Sequence, residues 1–268
     1  MTATDRTTAL INGNSVDVLR GDTILAAATR AGIEIPTLCH AEGLEPEGGC
    51  RMCLVEIEGQ RPQAACHTPI QPGMVVRTAT PHLREVRHDL LALMLSALPT
   101  GAAPASPQGS KFQKLLAEFG VLDAPFGQHG VKAPIDDSHP YMRFDRDKCI
   151  NCRLCLNTCE QVQGQFVYAI EGRGGKTRLI FGPTERFADS PCVSCGACVQ
   201  ACPTATLIEK SVIEHGQPAR ALVTTCAYCG VGCSFKAELQ GDRVVRMVPY
   251  RHGAANEGHS CVKGRFAW

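Results

Sequence analysis

Sixteen cysteines in 268 residues fall into four separated groups, Cys39–Cys66, Cys149–Cys159, Cys192–Cys202 and Cys226–Cys261, and divide without remainder into quartets. Each group can organise a small module of its own, so the chain reads as several small domains rather than one large core. Aromatic residues make up only 5% of the sequence. A module with so few large side chains buries little apolar area against the backbone entropy it must offset, and bound metal would supply the missing stability. The 27 basic and 26 acidic residues leave a net charge of +1, which gives no footprint for nucleic acid or an anionic membrane surface. The opening MTATDRTTALINGNSV has neither an apolar h-region nor a twin arginine, and the longest apolar run, Leu90 to Leu98, is far short of a membrane span. The expectation is a soluble cytoplasmic protein with no membrane insertion. In a reducing compartment, cysteines at this density point to metal binding rather than disulfides.

Alternation through Thr8 to Ile11, a turn at Asn12-Gly13 and resumption at Val16, Val18 and Leu19 predict a β-hairpin. Asp22 is placed to cap a helix over Thr23 to Ala31, with Gly32 as its stop. Strand-like runs at Cys53 to Ile57 and Met74 to Arg77 complete a compact α+β unit ending near residue 80. Beyond Pro81 come a helix-like run around Leu83 to Leu98, a Pro/Ala/Gly/Ser stretch over Pro99 to Gly109, and a short helix over Lys111 to Phe119. Cys149–Cys159 and Cys192–Cys202 form the one clear internal repeat, and the last cysteine group encloses a hairpin turning at Gln240-Gly241-Asp242.

The repeated runs, Cys149-x2-Cys152-x2-Cys155-x3-Cys159 and Cys192-x2-Cys195-x2-Cys198-x3-Cys202-Pro203, carry the spacing of cubane 4Fe-4S clusters. In tandem runs of this kind the fourth cysteine crosses to the other cluster. That assigns Cys149, Cys152, Cys155 and Cys202 to one cubane, and Cys192, Cys195, Cys198 and Cys159 to the second. Glu160 stands where the first run lacks its proline. Two structural zinc sites are the alternative, although zinc spacings are paired rather than triplet. The quartet Cys39, Cys50, Cys53 and Cys66, with Gly43, Gly48 and Gly49 in its loop, suits a 2Fe-2S site, where glycines let backbone N–H groups approach the sulphurs. Its isolated CxxC is also a zinc pattern. For Cys226, Cys229, Cys233 and Cys261, spacing alone leaves a zinc ribbon open. The nine histidines are scattered without ligand spacing, His40 beside Cys39 included. No Ser/His/Asp arrangement, phosphate loop or dinucleotide fingerprint is present. The chain shows wires and no chemical centre.

The order of these motifs resembles a known family. GGCRMC at Gly48 to Cys53 resembles the β-grasp 2Fe-2S domain of the complex I large iron–sulphur subunit, iron-only hydrogenases and NAD-linked formate dehydrogenases, and the middle resembles their two-cubane ferredoxin domain. TTCAYCGVGCSFKAELQGDRVVRMVP followed by SCVKGRF resembles the first cluster domain of molybdenum or tungsten bis-pterin oxidoreductases, especially the formate dehydrogenase alpha subunit. The resemblance makes the last quartet a third 4Fe-4S site and implies that Lys263 is a relay between cluster and pterin. Two departures stand out. Many family members carry an additional cluster held by one histidine and three cysteines, but Ala97 to Ser110 offers neither residue type, and GSKFQKLLAEFG at Gly109 to Gly120 looks like the remnant of that domain. The sequence also stops at Trp268, where the family continues into pterin-binding catalytic domains.

The expected architecture is therefore a modular α+β chain: a β-grasp 2Fe-2S domain over 1–80, a helical connector over 81–140, a two-cubane ferredoxin-like domain over 141–212 and a small 4Fe-4S domain over 218–268. The expected cofactors are one 2Fe-2S and three 4Fe-4S clusters. A bis-pterin molybdenum or tungsten cofactor would lie in a further domain or a partner chain, so this chain alone is not expected to oxidise formate. The expected role is to carry electrons between that site and a flavin/NAD-reducing or ferredoxin-type partner, as part of a formate dehydrogenase-like enzyme. The rivals are an electron-transfer subunit of a hydrogenase or complex I relative, and a zinc-stabilised binding scaffold.

Overall fold

A computed structural model describes residues 7–104, 106 and 109–268. Residues 1–6 of the opening segment and positions 105, 107 and 108 of the Pro/Ala/Gly/Ser stretch lie outside the described residues. The chain divides into two compact units, Met1–Gly130 and Val131–Trp268. The division falls inside the stretch expected as a single connector, because residue 136 pairs with Phe144 in the second unit. Among the described residues no helix is long and apolar enough to cross a membrane.

In the first unit, β1 (Thr8–Ile11) and β2 (Asn14–Asp17) pair antiparallel around Asn12 and Gly13. Both turn residues have positive φ, 53° and 82°, the backbone that a two-residue hairpin requires. Helix α1 (Ile24–Arg30) follows, then β3 (Leu54–Ile57), β4 (Gln63–Ala64) and β5 (Val75–Arg77). The strands form one sheet ordered β2-β1-β5-β3-β4, in which β1 and β5 run parallel. Ile24, Leu25, Ala27 and Ala28 put one face of α1 into the core beneath this sheet, together with Cys53 and Cys66.

The cap of α1 differs by one residue from the sequence expectation. Thr23, not Asp22, has the extended backbone of an N-cap, and its hydroxyl accepts from the Ala26 N–H at 3.1 Å. The Asp22 carboxylate is instead taken by Arg30, whose guanidinium donates to it at 2.6 Å.

Helix α2 (Pro81–Ser96) has proline in its first turn and Thr80 as its cap. Helix α3 (Lys111–Phe119) opens with a reciprocal capping box between Ser110 and Gln113 and ends at Gly120, where φ is 74°. The buried face of α2 contains one charged residue, Arg87, which is 4% exposed. Its Nε donates to the Met52 carbonyl at 3.0 Å and its Nη2 to the Leu54 carbonyl at 2.8 Å, bracing the backbone on both sides of Cys53.

The second unit begins with β6 (Met142–Phe144), α4 (Leu154–Thr158), β7 (Ala169–Glu171) and β8 (Arg178–Ile180). It continues through α5 (Ala197–Ala201), β9 (Leu207–Glu209), α6 (Lys210–His215), β10 (Arg220–Thr225), β11 (Ser234–Gln240), β12 (Arg243–Pro249) and α7 (Val262–Phe266). Strands β6 and β9 pair antiparallel, as do β7 and β8, so the first and last strands of the repeat region close on each other. Phe144, Phe181 and Phe187 form the centre of this core, with Phe181 and Phe187 stacked at 4.6 Å. Strands β10, β11 and β12 form an antiparallel meander, and β11 turns into β12 through Gly241-Asp242.

Arg87→Met keeps the apolar stem but leaves the Met52 and Leu54 carbonyls without their donor. The expected loss is about 2–4 kcal/mol of stability in the first unit, read as a lower denaturant midpoint at unchanged slope.

Candidate iron–sulphur sites

The repeat recurs in the backbone as well as in the cysteines. Asn151 and Ser194, two residues after the first cysteine of each run, both adopt left-handed φ, 54° and 56°. Arg153 and Gly196, two residues further on, do the same at 61° and 73° and start α4 and α5. This conformation turns N–H groups toward the sulphurs: Ser194 N–H donates to Cys192 Sγ at 3.3 Å, and the Asn151 backbone lowers the Cys149 thiol in the same manner. Such concave arrays of N–H groups suit anionic sulphur.

Cys149, Cys152, Cys155 and Cys202 line one cavity. Cys159, Cys192, Cys195 and Cys198 line a second. Each cavity thus takes three thiols from one run and one from the other. Burial pushes the Cys149 thiol up to about 11 and raises Cys155 and Cys198 further. Such thiols ionise only against a compensating positive charge, which bound metal would supply.

In the first unit the quartet is arranged as two pairs. Cys50 is drawn down to about 6 chiefly by a hydrogen bond from Cys39, and Cys53 to about 7 chiefly by one from Cys66, while both partner thiols are pushed up. Cys50 N–H also donates to Cys39 Sγ at 3.4 Å. Two close pairs fit a two-iron cluster, in which each iron takes two protein ligands. From α3, Lys111 reaches this loop and donates to Thr37 at 2.8 Å, close enough to Cys50 and Cys39 to interact with their charge. His40 is held below its ordinary pKa by burial and by Lys111, and its Nδ1 is buried without a partner.

In the last quartet, Cys226 N–H donates to the Cys233 carbonyl at 2.8 Å. The Cys233 thiol is raised by burial and then by the charges of Cys226, Cys229 and Cys261, which places all four together; Cys229 and Cys261 are exposed. Helix α7 passes so close that a Cβ at Gly264 would meet Cys226 Sγ at 3.3 Å and the Phe235 ring at 2.6 Å. Lys263 lies on the exposed side of α7. A cluster spreads its thiolates over separate irons, and four thiols brought to one place are a donor set that fits an iron–sulphur cluster.

Three residues at these sites escape sequence reasoning. His139 is 3% exposed, and its Nδ1 accepts from the Tyr141 and Met142 N–H groups, both at 3.2 Å. Its proton therefore sits on Nε2, which donates to Ser194 Oγ at 3.2 Å. Arg265, two residues beyond Lys263, is fully buried and paired with the third, Glu209. No spacing rule marks them; only the high polarity of residues folded into an apolar core does.

Residues 4–81 match the family described as a 2Fe-2S iron-sulfur cluster binding domain, 142–206 a 4Fe-4S dicluster domain, and 220–268 a molybdopterin oxidoreductase Fe4S4 domain. The NADPH-Fe(3+) oxidoreductase subunit alpha of Geobacter sulfurreducens is 33% identical over 96% of this chain and 31% of its own length. The mitochondrial NADH-ubiquinone oxidoreductase 78 kDa subunit of Neurospora crassa is 29% identical over 96% of this chain and 35% of its own. The chain thus spans about a third of the length of these curated relatives. A crystal structure of an NAD+-reducing [NiFe]-hydrogenase in the H2-reduced state aligns at a TM-score of 0.69 and 31% identity, covering 76% of this chain and 87% of that one.

His139 gives the second unit an acid sensitivity. Burial holds its pKa down to about 4, against 6.5 for the ordinary group. Stability is therefore full above pH 6.5 and falls toward pH 4, where the unfolded chain binds a proton that the folded one refuses, by at most about 3 kcal/mol. Melting temperatures at pH 7 and pH 5 should differ more in the wild type than in His139→Gln.

Proposed function

The chain belongs to the iron–sulphur family shared by the complex I 78 kDa subunit and NAD-reducing hydrogenase, carrying its N-terminal iron–sulphur region together with a molybdopterin oxidoreductase Fe4S4 domain, and we propose that it conducts electrons for an NAD(P)-linked oxidoreductase. The observation that carries this reading is the crossover at the two cavities, each lined by three cysteines of one run and one of the other. A thiol set exchanged between two sites couples them structurally, which suits adjacent stations of a wire.

The proposed complement is one 2Fe-2S cluster on Cys39, Cys50, Cys53 and Cys66, and three 4Fe-4S clusters on the remaining quartets. When bound, such clusters would supply sites for single-electron transfer. The residues of this chain supply the thiolates, the N–H groups that face them and the cations Lys111, Arg87 and Arg265 beside them. The proposed partners are a flavin/NAD(P) module and a catalytic domain or chain next to the last quartet. The molybdopterin-type domain at 220–268 favours a bis-pterin molybdenum or tungsten site there, with Lys263 facing it as a relay.

The formate-specific reading of the terminal motif gives way to this one. The two relatives described above, which span nearly the whole chain, are named as an NADPH-Fe(3+) oxidoreductase and an NADH-ubiquinone oxidoreductase subunit, and the aligned crystal structure is a hydrogenase. The TTCAYCGVGC motif is common to bis-pterin enzymes of many substrates. The rival that placed the chain with hydrogenase and complex I relatives is therefore the better supported.

The test is anaerobic purification with iron, sulphide and zinc analysis and EPR during stepwise reduction. The proposal expects about 14 iron atoms per chain, two from the 2Fe-2S site and four from each of three cubanes. Cys202→Ser should perturb the cubane of Cys149, Cys152 and Cys155, and Cys159→Ser the other one. Zinc in place of iron in most quartets would sink the electron-transfer reading.

A further inference from the structure

Arg265 and Glu209 are each only 1% exposed, and each keeps one polar atom, Nε and Oε2 respectively, buried without a partner. Arg265 Nη1 donates to the Met247 carbonyl of β12 at 2.8 Å and Nη2 to Glu209 of β9, so a single guanidinium ties the terminal module to the ferredoxin-like sheet. A second contact supports the same junction, the parallel stack of Phe266 on Tyr141 at 4.7 Å. Ser260 Oγ adds a third by donating to the Cys195 carbonyl at 3.0 Å.

The unpartnered Nε lies against the cysteine loop of the second cavity. A Cβ at Gly196 would meet it at 2.6 Å, so Gly196 serves both the left-handed backbone and the approach of the cation. The same helix carries Gly264 against Cys226 Sγ and begins directly after Cys261. Arg265 therefore sits where the Cys195 loop and the last quartet meet. Burying an ion pair here is costly and brings little net stability relative to apolar packing.

We propose that Arg265, held and partly neutralised by Glu209, is a positioning residue that raises the reduction potential of the cubane on Cys192, Cys195, Cys198 and Cys159, favouring electron passage between it and the last quartet. The inference rests on the cluster reading above. A fixed cation beside a cluster stabilises the reduced state, which carries one more negative charge, and an N–H donated to a cluster sulphur acts in the same direction. The neighbouring Arg246–Glu238 pair, closed at 2.6 Å, adds no net charge to the junction.

The experiment is an EPR-monitored redox titration of the full chain as wild type, Arg265→Met, Arg265→Lys and Glu209→Gln, with iron analysis on each. Cys195→Ser identifies the signal of the relevant cubane. Removing the cation should lower that cubane's potential, lysine should restore most of it, and removing the carboxylate should raise it. Opposite shifts in Arg265→Met and Glu209→Gln are the signature, because mere loss of a structural tie would move both variants the same way. Unmoved potentials, or shifts of one sign in both, overturn the inference. If Arg265→Met loses its iron, the upward shift in Glu209→Gln decides alone. A wild-type chain without cubane iron overturns the cluster reading itself, and the inference with it.

Discussion

Withdrawing a thiolate from water is unfavourable unless donors or positive charge replace the hydration it loses, and this chain encloses thiols in its first three quartets, while Cys229 and Cys261 of the last stay exposed. Cys155 and Cys198 are buried deeply enough that their thiols are held far from ionisation. The rest of the structure answers that cost. The left-handed residues Asn151 and Ser194 supply N–H groups, and the paired thiols of the first unit share protons between Cys39 and Cys50 and between Cys53 and Cys66. Metal supplies the remaining charge when bound, so cluster loading and folding of these loops are coupled.

The cations follow a common plan. Arg87 comes from α2 to the backbone around Cys53, Lys111 from α3 to the Cys39–Cys50 loop, and Arg265 from α7 to the Cys195 loop. None belongs to the cysteine run it serves. Each arrives on a helix packed over the loop, so helix packing sets the electrostatics of the neighbouring thiols. This gives the helices after Pro81 a reason beyond spacing: α2 and α3 complete the cysteine site of the first unit.

Much of this is legible in the sequence, and the limit is physical. Hairpins, strands and caps are local, so Asn12-Gly13, Ser110 with Gln113 and Gly241-Asp242 declare themselves within a few residues. Cysteine spacing is local too. Asp22 fails as the cap of α1 because Arg30, eight residues away, claims its carboxylate. Glu209 and Arg265 are separated by 56 residues and His139 and Ser194 by 55, and no periodicity links such pairs.

His139 shows how far a distant contact reaches. Its Nδ1 is occupied by two backbone N–H groups, so the ring is confined to one tautomer and can only donate from Nε2. The Ser194 oxygen accepts that bond, which frees the serine hydroxyl hydrogen for another acceptor; burial raises the Cys192 thiol two residues away, and the backbone N–H and side chain of Ser194 both act against that rise. Hydrogen bonds to ligand sulphurs tune cluster potentials. A residue with no metal-ligand spacing thus orders a donor at the thiol, on the same quartet whose Cys195 loop faces Arg265. Two independent polar contacts, one from His139 through Ser194 and one from Arg265, thus converge on the second cavity.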